Sequence, residues 1–463
     1  MVEPSSQTVA QHTPPAGGAG TFAQVLVNTL IANVTTSFLW FALTFWVYLE
    51  TRSVLATGIV GGAYMLLVAA FSIGFGTMVD RHRKRRVMVL ASMVTLAAFS
   101  LAGALYLAFP EVVILDLGGP LFWVFAGTIL CGAVVENMRN VALSTTVTLL
   151  VPEERHANAN GLVGMVQGVG FIVTSVFSGL AIGFLGMGWA LAIAVALTAV
   201  TLVHLMFVRI PEEKPHAEDG HAPAVDLRGS IAAIRSAPGL FALIIFSTFN
   251  NLIGGVYMAL MDPYGLELFP VQLWGMVFGV AATGFIVGGL LIARFGLGRN
   301  PIRTMLLLVV FMGLLGSLFT IREWWWLYVA GIWVYMMIIP AVEASEQTVI
   351  QKVVPYRRQG RVFGFAQAFE AAAAPITAFL IAPIAEFGII PYMKTDAGQA
   401  SWGWLLGEGD ARGIALVFFF AGLVMVLLAL GAFLTRSYRL LSAEYLAEPT
   451  ALASETVARD VSS

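Results

Sequence analysis

The sequence predicts an all-α integral membrane protein with twelve transmembrane helices in two six-helix, pseudo-symmetric halves. Three observations carry this prediction. Of 463 residues, 59% are hydrophobic and only 11% are charged, about half the charge of a soluble domain. Twelve separate apolar runs each approach the roughly 20 residues that a bilayer requires. Lys and Arg fall almost wholly on one side of the topology those runs define.

The runs lie near 22–49, 54–79, 87–109, 121–150, 158–185, 187–208, 239–262, 271–293, 302–320, 325–353, 361–388 and 412–434. Residues 1–21 are polar and rich in Pro and Gly. They lack the basic start and short apolar core of a cleavable signal, so they are expected to be a disordered cytoplasmic N-terminus before an uncleaved first helix. Residues 22–208 then form one bundle. The stretch "RIPEEKPHAEDGHAPAVDLRGS", 209–230, is polar, holds three prolines and cannot bury a core. A cytoplasmic linker is expected over 209–238. Residues 239–434 form the second bundle, and 435–463 a cytoplasmic tail.

The charges test this topology, because they were not used to build it. Of 25 Lys and Arg, only Arg52, Arg322, Lys394 and Arg412 fall on the outer side, and Arg139 falls inside a run. The rest lie in inner loops, linker and tail, which puts both termini in the cytoplasm of a multi-pass cell-membrane protein. The lone cysteine, Cys131, cannot form an intrachain disulfide, so the fold is independent of an oxidising compartment.

The halves echo each other. "VPEERHANANGLVGMVQGVG", 151–170, aligns with "VPYRRQGRVFGFAQAFEAAA", 354–373, at a constant offset of 203. Val-Pro ends the preceding helix in both, Gly161 matches Gly364, and Gln167 matches Glu370. The preceding helices repeat a polar pair at i, i+3: Glu136/Arg139 and Glu343/Glu346. Parallel six-helix repeats place a substrate site at their interface, near mid-membrane.

"GFGTMVDRHRKRR", 74–86, resembles the signature that the major facilitator superfamily carries between its second and third helices. The matching positions are Gly74, Asp80, Arg81, Arg85 and Arg86. "GGLLIARFGLGRN", 288–300, is a decayed second copy in which Arg294 replaces the acid. Within the superfamily the chain is most similar to bacterial drug and siderophore exporters, through "VPEERHANANGL" and "VPYRRQGRVFGFAQ". Thr174-Ser175 stand where many exporters have Gly-Pro. The resemblance implies the superfamily's fold, alternating access, and a cavity lined by helices 1, 4, 7 and 10. It also implies that Asp80 latches the start of helix 11, where Arg361 adds a charge. The plain alternative for the 80–86 cluster is topology alone.

Ionised groups inside a spanning helix cost about 2.5–3.5 kcal/mol each on insertion scales, so they face a bundle interior or a wet cavity. Spacing of three puts Glu136 and Arg139 on one helix face. They read either as a packing ion pair or as a titratable pair in a transport path, and the second reading places them at the cavity. Glu343 and Glu370 both sit about 14–15 Å from the inner surface by helical rise. Carboxyls crowded among apolar helices can take up and release protons. Glu136, Arg139, Glu343, Glu346 and Glu370 are therefore the proton-coupling candidates, with shared-proton helix packing as the alternative. Asn33, Gln167, Asn250 and Asn251 offer hydrogen bonds to a substrate or between helices. Trp40, Phe41, Phe249, Tyr257, Trp333 and Tyr335 are candidate walls of an apolar pocket, or packing. Asp262 and Glu267 read as interfacial.

No phosphate-binding Gly-Lys-Ser/Thr loop, nucleophile–base set or metal site is present, so no enzyme, direct ATP use or cofactor is expected. The basic loop beside a spanning helix reads as topology and not as a nucleic-acid site. The expected partners are a small-molecule substrate, protons and the bilayer, with the chain acting as a monomer. The mid-membrane tally of four Glu against one Arg favours cationic, lipophilic cargo. The expectation is thus a proton-coupled exporter of amphipathic small molecules. The alternatives are a siderophore, lipid-like or metabolite carrier on the same fold, or a membrane sensor that moves nothing.

Overall fold

The computed structural model describes residues 18–51, 54–212, 226–409 and 411–447. The expected N-terminal segment before residue 18, linker residues 213–225, Arg52 and Arg459 lie outside them. The long helices are α1 Gly18–Thr51, α2 Val54–Arg81 and α3 Lys84–Ala108; α4 Pro120–Leu150; α5 His156–Phe184 and α6 Gly186–Phe207. In the second half they are α7 Leu240–Leu268, α8 Val271–Phe295 and α9 Pro301–Leu318; then α10 Trp325–Val353, α11 Tyr356–Ile384 and α12 Arg412–Leu434. Among the described residues, eleven helices are long and apolar enough to cross a membrane. The twelfth long helix, α5, has 29 residues. Among the described residues there is no strand.

Local chemistry sets the breaks. Pro120 and Pro301 begin α4 and α9, where proline's missing N–H costs nothing. Gly296, at φ 71°, ends α8 in a conformation that an L side chain resists. α4 is interrupted once, at Asn137, whose N–H bonds back three residues to Val134. The end that holds residues 82–83, 151–155, 296–300 and 354–355 carries most of the Lys and Arg and is called the basic end below.

The two halves repeat one packing pattern. α1 on α5 corresponds to α7 on α11, α3 on α6 to α9 on α12, and α3 on α4 to α9 on α10. The halves meet through α2 against α11 and α5 against α8, the two most extensive contacts between them. Glycine makes both crossings close. A Cβ on Gly364 would sit 2.8 Å from Gly76 Cα, and one on Gly289 would sit 2.6 Å from Met165 Cα. In a bilayer, where apolar burial between helices gains little, such backbone approach supplies packing energy.

Five details differ from the sequence reading. α1 begins at Gly18, four residues before the expected run, and α11 begins at Tyr356 rather than near 361. The linker holds a helix, Leu227–Ser236, whose N-terminus is capped by Asp226 accepting from Gly229 N at 2.7 Å. Only one face of this helix is buried, through Ser230, Ala233 and Ile234, so a polar average concealed it. The tail forms a helix, Arg436–Leu446, and the α11–α12 connection holds another, Asp396–Leu406.

Candidate functional site

A cavity of about 330 Å³ lies between the halves, walled by α4, α5, α7, α9, α10 and α11. Its polar lining is Asn140, Ser144, Gln167, Ser247, Asn250, Asn251, Glu343, Glu346, Gln347, Gln367 and Glu370. No Lys, Arg or His is among the lining residues. Gln167, Asn251 and Glu343 are exposed although they lie between bundles. The basic end is sealed, as shown below.

Helix geometry explains the acidic wall. Glu343 and Glu346 are one turn apart on α10, and Glu346 meets Glu370 of α11 side chain to side chain. Glu346 Oε1, Glu370 Oε1, Asn250 Oδ1, Gln367 Oε1 and Ser247 Oγ are buried atoms without a hydrogen-bond partner. Each buried polar atom left unpaired costs about 1–3 kcal/mol. Four of these five atoms are amide or carboxyl oxygens, so the cavity suits a guest that presents N–H, O–H or positive charge.

An amide chain borders the same space. Asn33 of α1 donates to Asn140 Oδ1 at 2.8 Å, and Asn140 donates to Asn137 Oδ1 at 3.1 Å. Gln367 of α11 donates to that same Asn137 oxygen at 2.7 Å. The chain ties α1, α4 and α11 together across the interface.

Glu136 and Arg139, expected at the cavity, are instead sealed within the first half. Arg139 bonds Glu136, Asn28 of α1 and Ser92 of α3. Thr95 donates to Glu136 Oε2 at 3.1 Å. Arg139 is fully buried and Glu136 nearly so. The pair therefore faces neither lipid nor cavity. The reason is rotational: Asn137 and Asn140 stand one residue on, about 100° around the helix, and theirs is the cavity-side face.

Most of the aromatic candidates pack elsewhere. Tyr257 is buried against Tyr335 and Phe418, with its hydroxyl donating to Phe418 O at 3.0 Å. Trp333 bonds Thr283 across α8 and α10, and Trp40 packs edge-on against Phe41 and at a tilt against Tyr64. Phe249 is exposed. None of these lines the cavity. Asp262 accepts from Trp274 Nε1 at 2.9 Å near the end of α7 farther from the basic end.

The basic end closes through several bonds between the halves. Asp80 of α2 accepts from the backbone N–H of Gly360 and Arg361 at 2.7 and 2.9 Å, and Arg361 Nε lies 3.7 Å from the same carboxylate. Asn160 bonds Thr348 and Gln351, Thr148 bonds Gln359, and Lys352 pairs with Glu153 at 3.0 Å. Arg85 turns away to Met206 O, and Arg86 is exposed. Gly76 lies at the α2–α11 crossing, against Gly360 and Gly364.

Sequence reasoning missed Asn137, Asn140, Gln347 and Gln367 because it followed charge, not the neighbouring amide face. It also missed Gly76, Gly360 and Gly364. The Gly-x-x-x-Gly spacing of 360 and 364 was the available signal.

Residues 25–378 match the sequence profile of the Major Facilitator Superfamily. Macrolide efflux protein A of Streptococcus pyogenes is 23% identical over 383 residues, covering 79% of this chain and 89% of that protein. Enterobactin exporter EntS of Shigella flexneri is 22% identical over 347 residues, covering 74% and 80%. Among solved structures, a bacterial homologue of the iron transporter ferroportin in an outward-facing state superposes with TM-score 0.66 at 14% identity, covering 89% of this chain and 98% of that one. The fucose:proton symporter of Escherichia coli gives 0.64 at 12%, covering 90% and 99%. These likenesses show the fold. Among the described residues no group of three or more His, Cys, Asp or Glu is placed to hold a metal ion.

Proposed function

This chain belongs to the major facilitator superfamily, a family of multi-pass membrane transporters, and from that premise we propose that it is a proton-coupled exporter of amphipathic, cationic small molecules. The observation that carries the cargo class is the cavity itself: three carboxyls and several unpaired acceptors, with no basic residue among the lining. An anionic cargo would meet charge of its own sign. A protonated amine supplies both the positive charge and the donors that those oxygens lack.

Glu346 and Glu370 are the proton-carrying pair in this reading. The two carboxyls share one space, so a proton and a bound cation compete for it. Glu343, exposed in the cavity, meets cargo first. Gln167, Asn250, Asn251 and the Asn33–Asn140–Asn137–Gln367 chain orient it. The charge asymmetry supports a cytoplasmic basic end and cytoplasmic termini. The geometry is then that of an outward-facing state, with Asp80 and Arg361 as the cytoplasmic latch. The efflux names of the relatives support the direction.

The test is dye transport in proteoliposomes under an imposed pH gradient, on wild type beside Glu343→Gln, Glu346→Gln and Glu370→Gln. Gradient-driven movement of a cationic amphiphile, lost in Glu346→Gln or Glu370→Gln, is the expected result. Movement of anionic but not cationic probes would overturn the cargo assignment. Unchanged coupling in all three variants would overturn the proton assignment.

A further inference from the structure

The linker's two ends dock where α2 and α3 meet α11: one on α3 and α11, the other on α2 and α11. At one end, Glu212 accepts from the backbone N–H of Lys84 at 2.7 Å and lies 3.5 Å from Lys84 Nζ, at the start of α3. The same carboxylate accepts from the hydroxyl of Tyr356 at 3.2 Å, at the start of α11. The Lys84 ammonium also lies over the Tyr356 ring, 4.8 Å from its centroid. One linker acid thus bridges the first half to the second.

The other end repeats the arrangement. Asp226 N–H donates to Thr77 Oγ1 of α2 at 3.3 Å. Its carboxylate lies 3.3 Å from Arg361 Nη1 of α11. Arg361 therefore stands between two acids, Asp80 from α2 and Asp226 from the linker. The Asp226 carboxylate also caps the linker helix Leu227–Ser236, so folding that helix and holding Arg361 use the same side chain.

A passive tether needs none of this. It needs only length, and its acids would be solvated. Here the side chains of Lys84 and Glu212 are about 3% and 5% exposed, and those of Arg361 and Asp226 about 11% and 17%. Burial at this level limits screening by salt and water. All four bridged groups lie at the end that must open if the cavity is to reach the other side of the membrane.

We infer that the linker is a clasp on the basic end: Glu212 and Asp226 hold α2 and α3 to α11 in the closed state and must release before that end opens. This rests on the alternating-access reading only in requiring that the end open. It does not depend on which cargo or ion is carried.

The experiment reads opening directly, without substrate. In the full chain with Cys131→Ser, a cysteine at Ser144, on the cavity wall behind the seal, is labelled with a membrane-impermeant maleimide. The vesicles are inside-out, and His82→Cys, exposed on the basic end, reports sidedness. The labelling rate is proportional to the population of the open state, however small. Neutralising each acid, Glu212→Gln and Asp226→Asn, is expected to raise that rate about fivefold, the effect of an ion pair worth about 1 kcal/mol. The double variant should exceed either. Asp80→Asn serves as the reference for the latch. An unchanged rate in the linker double variant, with native circular dichroism and elution, overturns the clasp whatever Asp80→Asn does. If Asp80→Asn also leaves the rate unchanged, the latch reading of that end fails as well.

Discussion

Glu136 and Arg139, one turn apart on α4, form an ion pair closed off inside the first half. Arg139 is shared with Asn28 and Ser92, and Glu136 with Thr95. The network links α1, α3 and α4. It extends to α6 through Asn28, which donates to Thr201 O at 2.8 Å. It is an interior brace, and the first prediction concerns its cost. Arg139→Met alone leaves a buried carboxylate unpaired and is expected to lower unfolding stability by about 3–5 kcal/mol. Adding Glu136→Leu should recover most of that loss, because two charges of opposite sign leave together. Thermal unfolding in detergent measures both. A single variant as stable as wild type would show that the brace is dispensable.

The second prediction concerns the α2–α11 approach. A Cβ on Gly364 would lie 2.8 Å from Gly76 Cα and 3.0 Å from Gly76 N, and backbone cannot rotate aside as a side chain can. Gly364→Val should therefore force the helices apart at the basic end. Overpacking of this kind costs about 1–3 kcal/mol, paid mainly by the closed state. Labelling of a cysteine at Ser144 from the basic side is expected to rise about tenfold, with transport falling. If labelling is unchanged, the crossing is not part of the seal.

The amide chain gives a third. Gln367→Leu removes the donor to Asn137 and one unpaired cavity oxygen, but no charge. The expected outcome is intact gradient coupling with a KM for a cationic dye raised about tenfold, the value of one charge-assisted hydrogen bond. Loss of coupling with unchanged KM would move Gln367 from cargo binding into the proton path. Steady-state transport against dye concentration separates the two.

Twelve apolar runs, the polar break after the sixth and the one-sided basic charge were legible because bilayer physics constrains length and charge directly. Glu343, Glu346 and Glu370 were legible for the same reason, since a carboxyl in hydrocarbon demands an explanation. The orientation of Glu136 and Arg139 was not. A helix so apolar on every side gives no amphipathic phase to show which face meets the partner half. Tyr257 and Tyr335 illustrate the same loss, since aromatic residues serve packing and pocket equally well. The linker helix was hidden because ten residues with a single apolar face are averaged away by a search for spans. Arg412 was counted among the outer-side charges, and it does lie at the end opposite the basic one; its fully buried environment was not legible, because position along a run says nothing of packing.

That environment supports the last prediction. Arg412, at the start of α12, is fully buried at the end opposite the seal. It donates to Leu406 O at 2.9 Å, Thr320 O at 3.2 Å and the Tyr264 hydroxyl at 2.8 Å, and its guanidinium lies 5.4 Å from the Tyr264 ring centroid. Glu323, 3.6 Å away, is half-exposed, so the backbone carbonyls and the ring do most to hold the charge in place. The planar donor fork reaches the α9–α10 turn, the end of the helix Asp396–Leu406 and α7 at once, which a lysine cannot do. Arg412→Leu should lower unfolding stability by about 3 kcal/mol, and Arg412→Lys should restore only part of it. Thermal unfolding of both variants in detergent is the measurement. Full recovery by lysine would mean that charge alone, without the fork, fixes this end of the second half.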